Sequence, residues 1–188
     1  MAVSSRPSSP KSLTALKYKT KGEKMNRKNK RTVGSARFVT RAALIASLYV
    51  ALSYVSSVFG LASGVIQFRI SEALCILPIM MTEAIPGLFI GCLLANFVSG
   101  CLPWDIVFGS LATLIGAIGC YALRNLPEKL KWICTLPNLI ANCLIVPIVL
   151  IKVYGVTNGY FYLMITVGIG ELVCGVIGGT VLYYSQKK

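Results

Sequence analysis

The chain of 188 residues is 55% hydrophobic and holds six acidic side chains. Three of these, Glu72, Asp105 and Glu171, lie inside or at the edge of long apolar runs. An ionisable group at the centre of a membrane helix costs about 2.5–3.5 kcal/mol even on a lenient insertion scale. Carboxylates persist there where a partner or a ligand offsets that cost. Arg69, Asn96 and Asn142 stand in the same apolar body, and Asn138 lies one helical turn before Asn142. Carboxylate, amide and guanidinium are recognition groups: the first accepts hydrogen bonds, the last donates them, and the amide does both. Simpler roles compete with recognition at each position. Arg69 and Glu72 are three residues apart and can neutralise one another on a helix. Asp105, beside Trp104, can cap a helix start, as can Glu83 further back. Glu171 has no basic residue within its own apolar run, which leaves a protonated, hydrogen-bonded acid as its alternative.

Bond-breaking chemistry finds no support in the same residues. Histidine is absent, and no serine or cysteine stands beside a plausible base, so no hydrolytic or redox arrangement can be assembled. The seven cysteines form no CxxC pair and read as small packing residues, with no disulfide framework and no metal site. Nor is there a GxxxxGKS/T loop for nucleotide phosphates. The chain reads as a binding protein, not an enzyme, with no cofactor of its own.

The elements that must position these groups follow from hydropathy. A mean hydropathy of +0.71 indicates an all-α integral membrane protein. Of the nineteen Lys and Arg residues, twelve lie between Arg6 and Arg41; the net charge of +13 therefore belongs mostly to one flank. Such a flank anchors on the anionic cytoplasmic leaflet and orients the chain, and it is not a nucleic-acid-binding surface. Residues 1–40 show no apolar periodicity and are expected to be a disordered basic tail, with Met25 a credible alternative start. Residues 41–188 are expected to form one membrane domain.

Spans are predicted at 41–59, 70–81, 85–98, 104–123, 132–151 and 161–184, with TEAIPG separating the two short ones. Those two read as abbreviated helices or as a re-entrant hairpin, the former being preferred. The RNLPEKLK loop carries Arg124, Lys129 and Lys131 and marks a cytoplasmic side, as do the terminal lysines. Six spans then place both termini in the cytoplasm. On this topology Arg69, Glu72, Asn96, Trp104 and Asp105 gather near an outer mouth, and Glu83 marks an inner turn. Glu171 lies ten or so residues deeper, roughly 15 Å at 1.5 Å per residue, and Asn142 reaches a similar depth. Together they outline a cavity open to the exterior. Along the first span Ala42 and Ala46, and Ala43 and Ser47, repeat at four-residue spacing. This stripe serves close helix packing, either within the chain or against another membrane subunit.

At QFRISEALCILP, AIPGLFIGCLLAN and WDIVFGSLATLIGA the sequence resembles the QueT family of queuosine-precursor transporters. The resemblance runs from about Arg41 to the C-terminus. It implies a compact six-helix substrate-binding subunit (S component) of an energy-coupling factor importer, which captures a 7-deazaguanine such as preQ1 or queuine from outside. ATP would be used by partners: a transmembrane coupling protein with two ATPases. It implies docking on that module through small residues of the first helix, Ala42, Ala46, Ala43 and Ser47. The residues themselves offer a compatible ligand site, drawn from Phe68, Arg69, Glu72, Asn96, Trp104, Asp105, Phe108, Asn142 and Glu171. A guanine-like edge offers adjacent donors to a carboxylate and an oxygen to an amide, and Phe68, Trp104 or Phe108 can stack on the ring. The alternatives are an S component for another vitamin or nucleobase, and a membrane scaffold whose buried acids are structural.

Overall fold

The computed structural model describes residues 10–61 and 67–186, with side chains from residue 34 onward. Every regular element among the described residues is helical. In chain order these are α1 (Pro10–Val58), a 3₁₀ segment (Ile70–Ile79), α2 (Ala84–Val98), α3 (Pro103–Ala122) and a second 3₁₀ segment (Glu128–Thr135). Then come α4 (Leu136–Lys152), α5 (Tyr160–Glu171), a π-helical segment (Leu172–Gly178) and α6 (Gly179–Ser185).

Two compact units divide between Val39 and Thr40. In the first, the backbone is helical from Pro10, where the sequence leads one to expect no regular structure; residues 1–9 lie outside the described residues. Lys and Arg, abundant in this stretch, lose little rotamer freedom in a helix, a local preference independent of any apolar face.

Four helical stretches are long and apolar enough to cross a bilayer: Gly34–Val58, Pro103–Ala122, Glu128–Lys152 and Tyr160–Ser185. Ile70–Ile79 and Ala84–Val98 are shorter apolar helices. Large apolar side chains on these elements remain exposed, among them Leu44, Phe97, Ile115 and Val181. An apolar belt of this kind belongs against lipid, and the chain is a multi-pass membrane protein.

The first short segment is wound as a 3₁₀ helix for ten residues. Pro78 lies within it and cannot donate to an α-helical ladder. A 3₁₀ helix rises about 2.0 Å per residue against 1.5 Å for an α-helix, so the abbreviated segment reaches further than its length implies. The turn after it leads into α2, and Gly87 and Gly91 bring α2 close against α1. A Cβ at Gly87 would lie 2.8 Å from the Ala42 carbonyl oxygen, and one at Gly91 2.8 Å from Tyr49 Cβ. Close helix approach through small residues substitutes for a hydrophobic driving force inside a membrane. The apolar core around this contact includes Ile45, Tyr49, Leu74, Leu77, Leu88 and Ala117.

That contact divides the small-residue stripe of the first span. Ala46 is buried and Ala42 half-buried against α2, whereas Ala43 and Ser47 are exposed. Of the two pairs, only Ala43 and Ser47 face away from the rest of the chain.

Candidate functional site

Asn96, in the last turn of α2, is 2% exposed. Its Oδ1 accepts a 2.8 Å hydrogen bond from the Arg69 guanidinium. Because arginine has donors only, this contact sets which way the Asn96 amide faces: oxygen toward Arg69, nitrogen toward α3. Its Nδ2 has a 3.7 Å contact with Cys92 Sγ. Asp105 lies in the first turn of α3, whose N-cap is Leu102, and its Oδ2 accepts from the Tyr154 hydroxyl at 2.9 Å. Tyr154 in turn accepts from the Leu102 backbone N–H at 3.2 Å, which ties the loop after α4 to the start of α3. Burial pushes the Tyr154 phenol up to about 12, so its hydroxyl stays a donor at neutral pH. Burial, reinforced by the neighbouring Asp105 carboxylate, also raises the Cys101 thiol.

These groups line a cavity of 470 Å³. Ser53, Tyr54 and Ser57 of α1 form one wall; Gln67 and Arg69, Asn96, and Asp105 with Gly109 form the polar remainder, and Val146 and Leu150 of α4 close the side. Arg69, Asn96 and Asp105, three residues expected in a ligand site, are therefore brought together.

A second polar layer is buried among the helices. Glu72 is 1% exposed and Glu171 7%. One amide nitrogen, Asn138 Nδ2, donates to both carboxylates, at 3.0 Å to Glu72 Oε2 and 3.1 Å to Glu171 Oε2. Tyr49 donates to the other Glu72 oxygen at 2.5 Å, and the Cys75 thiol contacts Glu72 Oε2 at 3.2 Å. Glu72 is thus held by donors from three elements and does not pair with Arg69. Asn142 is also buried; its Nδ2 and Asn138 Oδ1 meet no well-aligned hydrogen-bond partner among the described residues, although the Asn142 amide adjoins the Glu171 carboxyl. The layer is adjoined by the π-helical segment that begins directly after Glu171; π turns inside α-helices recur at functional sites.

The aromatic residues fall elsewhere. Trp104 and Phe108 stack on each other, centroids 6.1 Å apart at 25°, and border a separate apolar groove of 690 Å³ with Ile145, Ile148 and Lys152. Phe68 is half-buried and lines neither space. The aromatics that line the polar cavity are Tyr54 and Tyr154. Glu83 precedes α2 without a side-chain cap and pairs with Arg41 at 3.2 Å. Its own backbone N–H and then the Arg41 guanidinium hold its carboxyl below the usual range.

Tyr49, Tyr54 and Tyr154 are among the residues that sequence reasoning left out of the site, as is Asn138, which bridges the two acids. Tyr49 carried a usable signal, since a tyrosine in mid-span needs a partner for its hydroxyl. Tyr154 stands in a loop with nothing local to point to Asp105, 49 residues away.

A sequence model of the QueT transporter family matches residues 39–188. The chain is 35% identical over 96 residues to the queuosine precursor transporter QueT of Lactococcus lactis subsp. cremoris (strain MG1363). That alignment covers 50% of this chain and 56% of the relative, so the chain spans about half the length of the curated relative it matches. No solved structure matches the chain. The family match takes in the cavity and the buried acid layer alike, and the chain belongs to the QueT transporter family.

Proposed function

We propose that this chain captures a queuosine precursor of the 7-deazaguanine class from outside the cell, as the substrate-binding subunit of an energy-coupling factor importer. In this reading the two short helices also cross the membrane, six spans leave both termini in the cytoplasm, and a coupling protein with two ATPases supplies the work. The observation that carries it is the 470 Å³ cavity whose polar lining comes from Arg69, Asn96 and Asp105. Its volume falls within the roughly 300–1,000 Å³ typical of small-molecule pockets, and its donors and acceptors suit a planar heterocycle with several N–H groups. The name of the Lactococcus relative supports the choice of ligand class. The exposed residues Ala43 and Ser47 serve as the docking face for the coupling protein, since Ala46 is buried against α2.

Calorimetric titration of the purified chain with 7-deazaguanines, and with a panel of vitamins and nucleobases, tests the reading. Selective binding of the 7-deazaguanines is expected. Selective binding of a vitamin would replace the ligand class, and no binding at all would favour a scaffold. Asp105→Asn removes a charge-assisted acceptor worth about 1.5–3 kcal/mol, so the affinity should fall by roughly 10- to 100-fold.

A further inference from the structure

Gly109 lines the cavity at the point where two of its polar groups converge. A Cβ built there would lie 3.0 Å from Asn96 Nδ2 and 3.8 Å from Asp105 Oδ1. The absent side chain leaves a small cradle on the face of α3, with an amide donor on one side and a carboxylate oxygen on the other. Neither group is fully engaged. Among the described residues Asn96 Nδ2 makes one long contact with a sulfur; the Asp105 carboxylate meets the Tyr154 hydroxyl and the Cys101 thiol, and with about four lone-pair sites it has room for further donors. The donor cannot become an acceptor by rotating, because Arg69 holds the amide oxygen.

A donor beside an acceptor, over a surface cleared of side chain, reads the edge of a cyclic amide: a ring carbonyl next to a ring N–H. The same carboxylate has a further lone pair for an adjacent amino group. An adenine-type edge presents the reverse order, an amino donor beside a bare ring nitrogen. It would set donor against donor at Asn96 and acceptor against acceptor at Asp105. Resting on the capture reading above, we propose that Asn96, Asp105 and the Gly109 cradle recognise the lactam edge of the 7-deazaguanine, and that Arg69 is the positioning residue that fixes the direction in which that edge is read.

The test is direct binding of 7-deazaguanine and 7-deazaadenine to the full chain and its variants, with thermal unfolding run alongside. Wild-type protein should prefer the guanine-type edge by at least about 100-fold, since sites built to hydrogen-bond an edge reject its mismatch strongly. Gly109→Ala should keep the unfolding midpoint and lose most of the affinity. Arg69→Met frees the Asn96 amide to turn its oxygen outward, and the ratio of the two affinities should collapse toward one. A ratio taken within one variant does not depend on how much of it is folded, so a structural role for Arg69 alone would leave it unmoved. Tight 7-deazaguanine binding with no preference of edge, or a preference untouched by Arg69→Met and Gly109→Ala, overturns this assignment and leaves the capture reading standing. Failure of both 7-deazapurines to bind overturns the capture reading and the assignment together.

Discussion

Both buried carboxylates accept hydrogen bonds from another element. Glu72 accepts from Tyr49, Cys75 and Asn138, a set drawn from α1, the 3₁₀ segment and α4. A buried acceptor stripped of its donor costs about 1–3 kcal/mol. Tyr49→Phe keeps the ring and removes only the hydroxyl, so its thermal unfolding midpoint in detergent should fall by an amount reflecting that range. An unchanged midpoint would show that Glu72 finds its stabilisation elsewhere. Glu83 is the contrasting case. Its pairing with Arg41 is exposed on the arginine side, where solvent screening leaves an ion pair little to contribute. Because its carboxyl is held below the usual range, the pair contributes above the unfolded-state value, and the contribution fades as pH falls through the folded one.

The helices owe their spacing to glycines that face polar or backbone atoms of a neighbour. Gly116 of α3 is the tightest instance in the acid layer: a Cβ there would sit 2.3 Å from Asn138 Oδ1 and 2.6 Å from its Cα. Gly116 thus lets Asn138 reach both carboxylates. Gly116→Ala should destabilise by about 1–3 kcal/mol, the usual cost of overpacking, as read by thermal unfolding. Gly34→Ala, with nothing within 4 Å of the added atom, should cost nothing and serves as the control. The winding of two elements matters in the same way. The 3₁₀ segment carries Glu72 and the π segment begins beside Glu171. Neither departure from the α-helix was legible in hydropathy, which reports burial averaged over a window and not the hydrogen-bond register.

At the level of the whole molecule, the charge distribution makes a statement about orientation. The turn at Arg124 and the start of the second 3₁₀ segment, with Lys129 and Lys131, should lie in the cytoplasm if six spans follow a basic N-terminal flank. Lys129→Cys, introduced into a chain whose half-buried cysteines Cys101, Cys143 and Cys174 have been replaced, should react with a membrane-impermeant thiol reagent only after the membrane is opened. Labelling of intact cells would invert the topology and place the polar cavity on the inner side. The loops at the cavity end carry Gln67, Cys101 and Tyr154, so the same experiment bears on where the ligand enters.

By itself the sequence determined the class of the molecule, the positions of its apolar helices and its family. Each of these is local: hydropathy is a sum over neighbours in the chain, and the motif blocks at Gln67, Ala84 and Trp104 are contiguous. It also singled out Arg69, Asn96 and Asp105, because charge and amide groups are conspicuous among apolar neighbours. Only the tertiary structure decided which of them meet. Arg69 goes to Asn96 and not to Glu72, three residues away. Glu72 joins Glu171 through Asn138, and Trp104 with Phe108 turns to an apolar groove away from the polar cavity. The physical reason is that helical period groups residues onto a face, while the rotation of each helix about its axis is set by close packing at Gly87, Gly91 and Gly116. That packing depends on residues far apart in the chain.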